Sequence, residues 1–233
     1  MTGVGIIVPR ATVGPGPIDP PPLHSAGVTD YQRRFVAERL DDGALTSWPD
    51  IGSVGRALTK TADAGTAVVT TEAGRTFVRL TYTTAQASLK DAGVAAHKTM
   101  AAVVRLGGAV NAGLDGVQAS GARLQRVGSQ FALTGLTTGN HIATPFVAGF
   151  VFVLFEVTGT GTGGLVRINA TETTTVAGGG TWTPSAAPDF FARASSAAGP
   201  VDYAELLAWD RVLDATERTA VYTAMKAHYG EIA

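Results

Sequence analysis

Three carboxylates crowd one short stretch near the C-terminus: Asp202, Glu205 and Asp210. Two acids at close range on one face hydrolyse glycosidic bonds, and on a strand that range comes naturally from i, i+2 spacing. Asp202 to Glu205 and Glu205 to Asp210 are both odd spacings, so plain strand alternation sends each pair to opposite faces. The sequence therefore reads as non-enzymatic. The four histidines (His24, His97, His141 and His228) show no i, i+4 pair and no HExxH. With no cysteine, thiolate metal sites, cysteine nucleophiles and disulfides are excluded. Gly159–Gly164 fits G-x-G-x-x-G, yet Leu165-Val166-Arg167-Ile168 follows and alternates as a strand. A dinucleotide fingerprint needs a helix there, so a hairpin loop is expected. Asn169-Ala170-Thr171 is a formal glycosylation sequon and is read as coincidental.

Saccharide recognition needs less: a flat aromatic face for the ring and a few polar groups for its hydroxyls. Trp182, after Gly178-Gly179-Gly180, has the loop context for such a platform. Asn140 and His141, in a turn that begins at Gly139, can supply hydrogen bonds. Trp48 and Trp209 sit in strand contexts and are expected in the core.

These side chains need a scaffold. Apolar runs of strand length recur between turn signals: Arg34–Leu40, Ala67–Thr70, Thr76–Tyr82, Met100–Arg105, Gly113–Ala119, Arg123–Val127, Gln130–Thr134, Phe146–Val157, Leu165–Ala170, Thr173–Val176 and Tyr203–Trp209. Many short strands and a Gly-rich composition (29 of 233 residues) indicate an all-β sandwich rather than alternating βαβ units. Phe146–Phe155 is apolar on both faces, as a central strand covered on both sides must be. One helix is expected, over 215–229. Asp214 and Glu217 have capping-box spacing, Val221, Ala224, Met225 and His228 form a stripe, and Gly230 can end it.

Residues 1–24 differ from the rest. They hold six of the eleven prolines, around a short apolar strip. Proline removes amide donors and favours extended backbone, so no helix or central strand forms there. Residues 1–26 read as an anchoring arm, with Ile6, Ile7, Val8 and Pro9 as its interface, and 27–233 as one domain. Net charge is −1 with no polybasic cluster, which argues against nucleic acid. The longest apolar stretch, Pro145 to Phe155, is about half the length of a membrane span of about twenty residues. No secretory signal is apparent.

The segment from Ala204-Glu205-Leu206-Leu207 through Trp209-Asp210-Arg211 and Asp214-Ala215-Thr216-Glu217-Arg218 to Tyr229-Gly230 resembles the end of concanavalin A-like, laminin-G-like jelly-roll domains. Asp42-Gly43 with Trp48-Pro49-Asp50 is similar to that family's opening, and Val166-Arg167-Ile168-Asn169-Ala170 to its V-x-V-N-G strand and turn, with Ala170 for glycine. The resemblance covers roughly 30–230 and implies a jelly-roll β-sandwich with one C-terminal helix. In architecture the chain also resembles minor tail proteins of bacteriophages that infect actinobacteria. That implies a virion protein at the tail tip or baseplate, a homo-oligomer in a symmetric particle, bound to other virion proteins through the arm and to host-surface carbohydrate through the sandwich. A capsid decoration protein of the same fold and a carbohydrate-binding module of a secreted hydrolase are the alternatives. No cofactor is expected; calcium occurs in some such domains, but no ligand set is identifiable here.

Overall fold

The computed structural model describes residues 28, 30–91, 97–107, 112–115, 123–127, 130–134, 142–145, 147–157, 164–174, 190–194, 199–230 and 232. Their strands are β1 (Arg33–Val36), β2 (Gly43–Ala44), β3 (Ser47–Trp48), β4 (Leu58–Lys60), β5 (Thr66–Glu72), β6 (Arg75–Thr81), β7 (Ala87–Asp91), β8 (Thr99–Leu106), β9 (Ala112–Asp115), β10 (Arg123–Val127), β11 (Gln130–Thr134), β12 (Ile142–Pro145), β13 (Phe150–Val157), β14 (Gly164–Ile168), β15 (Thr171–Thr174), β16 (Phe190–Ala194) and β17 (Val201–Trp209). Helix α1 (Ala215–Tyr229) follows.

The larger sheet has the order β15-β14-β13-β8-β17-β6-β5-β2, with β1 also paired to β17. The second is β3-β4-β7-β16-β9, and β10-β11-β12 form a third. Every described pairing is antiparallel. The chain is an antiparallel all-β sandwich with one C-terminal helix.

Side-chain alternation on the central strands builds two cores. On β13, Val151, Val153 and Phe155 turn inward to Trp48, Leu58 and Leu89 of the second sheet. Phe150, Phe152 and Leu154 turn outward into the layer that holds Val221, Met225 and Tyr229 of α1. The double-sided apolar run is therefore a covered central strand, but it begins at Phe150 rather than Phe146. Trp48 and Trp209 are fully buried, as expected of core residues. Fully burying each such large side chain stabilises the fold by ~2–3 kcal/mol.

Helix α1 has the expected bounds. Asp214 accepts the Glu217 amide at 2.9 Å, and Glu217 accepts the Asp214 amide at 2.8 Å. Gly230 takes a positive φ of 38° at the C-terminus. The buried face differs from the expected stripe. Val221, Tyr222, Met225 and Tyr229 are buried, while His228 turns to Glu38 at 2.8 Å.

Two other expectations need correction. The run from Arg34 is strand only to Val36 and then a 3-10 turn over Ala37–Arg39. Within the two expected runs Leu165–Ala170 and Thr173–Val176, the described β14 and β15 are one hairpin, in which Asn169 takes the left-handed position (φ 53°), one residue before the Ala170 that stands for the motif's glycine. Asn169 is 7% exposed and its side-chain oxygen accepts the Phe152 amide at 2.9 Å, so the sequon serves packing. The arm, residues 1–26, lies outside the described residues.

Candidate functional site

Strand registers define two ends of the sandwich. At one end of the large sheet lie Trp209, paired with Thr99, then Glu156 opposite Thr99, and Thr174 opposite Leu165. In the second sheet, Asp91 pairs with Phe190, and Asp115 with Phe191. Arg33 ties these two groups together. It pairs with Ala208 in the large sheet, and its guanidinium reaches Asp91 of the second sheet at 2.9 Å. The connections 92–96, 116–122, 158–163 and 175–189 therefore all attach at this end.

Arg33 forms the floor of this end. It is fully buried. Nε meets Asp50 at 2.7 Å, and Nη2 donates to the Arg56 carbonyl at 2.7 Å. Asp50 also accepts the amides of Arg34 at 2.9 Å and Gly52 at 2.8 Å. Arg56 adds a second cation to Asp91. A buried charge is tolerated only when paired and hydrogen-bonded, and here each carboxylate has at least one guanidinium. His97 is buried nearby, and burial, with Arg33 adding, pulls its pKa down to about 4. It is neutral at pH 7.

The chain enters the sandwich at the same end. Asp30 is gripped by Arg211 Nε at 2.6 Å and Nη2 at 2.9 Å. Arg211 simultaneously holds Glu217 of α1 through two contacts of 2.7 Å. Asp30 is thus held beside the start of α1.

The sequence-predicted site residues fall outside this description. Trp182 belongs to 175–189, between β15 and β16. Asn140 and His141 directly precede β12, which packs near β15. Ile6, Ile7, Val8 and Pro9 belong to the arm. All seven lie outside the described residues. The glycine motif 159–164 joins β13 to the antiparallel β14, with Val157 opposite Gly164, so it closes a hairpin as expected.

The acid pair is placed differently from the alternation argument. The register of β17 against β8 slips between Tyr203 and Glu205, a bulge that reverses the parity. Ala204, Leu207 and Trp209 consequently share the outer core, and Leu206 and Ala208 the inner. Asp202 and Glu205 both face outward, on the side of α1. Neither is free for acid–base work. Glu205 is fully buried, bound by Arg34 Nε at 2.7 Å and the Tyr229 hydroxyl at 2.8 Å. Burial pushes its carboxyl pKa up, against the pull of Arg34. Asp202 is bound by Arg79 at 2.8 Å and Arg105 at 2.8 Å.

Arg79, Asp202, Arg105 and Phe150 form a row across β6, β17, β8 and β13. Both guanidiniums lie over the Phe77 ring, at 5.1 and 4.8 Å from its centroid. Sequence reading missed this group. Its signal was the alternation Arg75-Thr76-Phe77-Val78-Arg79, which puts two cations and an aromatic on one face. Among the described residues, no cluster of three or more His, Asp or Glu is arranged to hold a metal ion. No helix among them is long and apolar enough to cross a membrane.

No family model matches the sequence, and no curated protein matches it. Solved structures do. The receptor-binding domain of botulinum neurotoxin type G superposes with a TM-score of 0.53 at 12% identity, over 78% of this chain and 51% of that one. An endo-β-galactosidase from Clostridium perfringens that releases GlcNAcα1-4Gal gives a TM-score of 0.42 at 10% identity, over 77% of this chain and 63% of that one. The chain thus spans about half the length of the neurotoxin domain. At this identity the first likeness shows the fold and nothing more.

Proposed function

We propose that the chain is a non-enzymatic, lectin-like binding module of a bacteriophage virion, a minor tail protein of the tail tip or baseplate. Its sandwich binds saccharides of the host surface, and the arm, residues 1–26, attaches it to other virion proteins. The observation that supports the binding half is that the strand ends flanking four connections, the one holding Trp182 included, lie at the same end of the sandwich as the buried Arg33, Asp50 and Asp91 network. Loops on a stiff sandwich are where binding side chains concentrate. The neurotoxin domain of similar fold is a receptor-binding domain. The virion half rests on the proline-rich arm and on the architectural resemblance. A single sugar contact is weak, and several copies on one symmetric particle raise it to useful avidity.

Two experiments test this. On a glycan array, the full chain retains saccharides and Trp182→Ala retains fewer; equal retention by both removes Trp182 from the site. Deleting 1–26 leaves a folded domain that no longer joins particles. Normal incorporation of the truncated chain overturns the anchoring role. Incorporation into the capsid shell instead of the tail moves the protein to decoration. Binding to a plant-type polysaccharide, with no particle association, supports a module of a secreted hydrolase.

A further inference from the structure

The row Arg79–Asp202–Arg105–Phe150 lies near the start of β17, at the opposite end from Trp209 and from the Asp30–Arg211 clasp. Helix α1 does not extend over it. The last residue of α1, Tyr229, meets Arg75 and Glu205, and the row lies further along the face. If the arm anchors the chain, this end points away from the anchor.

The arginines are held from below by Asp202 and met from the solvent side by Glu72. Asp202, with its side chain 3% exposed, takes Arg79 through Nε at 2.8 Å and Nη2 at 3.2 Å, and Arg105 through Nε at 2.8 Å and Nη2 at 2.6 Å. Phe77 supports both planes, and Phe150 lies 4.8 Å from Arg105 Cζ. This fixes two guanidiniums on strands two apart, about 10 Å between backbones, converging above one buried carboxylate. Arg79 Nη1 and Arg105 Nη2, the latter also on Asp202, share one further carboxylate. It is Glu72, at 2.9 Å from each, one oxygen per arginine.

Glu72 is unlike the other members. It stands at the end of β5, beside the tight Ala73-Gly74 turn, and its side chain is 45% exposed where the arginines are 30% exposed. Two guanidiniums and Asp202 carry a net charge of +1, which Glu72 neutralises from the solvent side. A two-point, charge-assisted grip on one carboxylate is the geometry by which arginines recognise free carboxylates.

We propose that Arg79 and Arg105 form a carboxylate-binding clamp, that Glu72 occupies it in the free protein, and that its ligand is the carboxylate of an acidic saccharide such as a uronic acid. The carboxylate follows from the clamp; the saccharide rests on the binding role proposed above. Entry of the ligand swings Glu72 into water, so net charge in the clamp is conserved. A tethered competitor at an effective concentration of order millimolar makes the single-site affinity weak, which suits a multivalent particle.

The test is a titration of the ¹⁵N-labelled full chain with D-glucuronate, with D-glucose as the neutral control. Glucuronate is expected to shift the amides around Arg79, Arg105 and Asp202, and glucose is not. Glu72→Gln, which removes the competing charge, is expected to bind glucuronate at least about tenfold more tightly. Arg105→Gln, checked for an unchanged fold by its spectrum, is expected to lose the response. A folded Glu72→Gln that responds to glucuronate no more than to glucose overturns the clamp. Neutral glycans retained through Trp182 under that same outcome leave the wider binding role intact. Glucuronate binding alongside an empty glycan array keeps the clamp and removes the saccharide receptor.

Discussion

Arginine and carboxylate meet at both ends of this sandwich, with opposite consequences. At the arm-bearing end, Arg33 is entirely buried and is consumed by Asp50, Asp91 and a backbone carbonyl. At the far end, Arg79 and Arg105 are gripped by Asp202 yet stay 30% exposed, and the more exposed Glu72 meets one nitrogen of each. The chemistry is the same and burial decides its use. A fully enclosed ion network joins sheets and is intolerant of any loss. A half-enclosed one keeps its geometry while leaving one partner exchangeable.

The contrast fails most visibly if Arg33 proves dispensable. Arg33→Ala leaves Asp50 and Asp91 buried with fewer partners, and is expected to cost about 3–5 kcal/mol in urea unfolding. A loss below about 1 kcal/mol would mean that the floor is wet. The same end also carries a pH dependence. His97 has a folded pKa of about 4 against 6.5 for the ordinary group. The unfolded chain therefore binds the extra proton first, between those values. This contribution is whole above pH 6.5 and is lost as pH falls toward 4, by about 3 kcal/mol. Unfolding curves across pH 4 to 7 measure it, and His97→Asn should flatten them.

Smaller effects sharpen the comparison. Asp214→Ala removes a two-way cap and is expected to cost about 1 kcal/mol, fraying the start of α1 in hydrogen exchange. Asp30 and Glu217 are held below the usual carboxylate range, chiefly by hydrogen bonds to Arg211. Depressed values mean that their contribution is present above the ordinary carboxylate pKa of about 4 and falls away below it. The clasp at the arm's root should thus loosen only in acid, read as faster exchange at residues 211–218. At the far end, Glu72→Gln should leave the unfolding midpoint unmoved and change ligand response alone.

How much of this was legible in the sequence depends on how local each cause is. The helix was, because a capping box, an apolar face and a terminal glycine all act within one turn of their own positions. The central strand β13 was, because burial on both faces leaves an uninterrupted apolar run. Strand β7, Ala87-Ser88-Leu89-Lys90-Asp91, was not, since it lacks aromatic and β-branched residues and owes its state to its neighbours β4 and β16. The face of Asp202 could not be read either. Alternation counts residues on one strand, and the bulge at Ala204 exists only in the register against β8. The Arg79 and Arg105 row needed four strands to assemble, and only its β6 part, Arg75, Phe77 and Arg79, was visible as an alternation. The predicted sugar residues, Trp182, Asn140 and His141, belong to connections outside the described residues, so their reading still rests on sequence alone.

The most direct measurement is a bacterial glycan array probed with the full chain, its Trp182→Ala variant and its Glu72→Gln variant. Saccharides should be retained by the wild type and fewer of them by Trp182→Ala, with acidic members gaining on Glu72→Gln. An array on which neither the wild type nor Glu72→Gln retains any saccharide would contradict the assignment of this sandwich as a glycan-binding module.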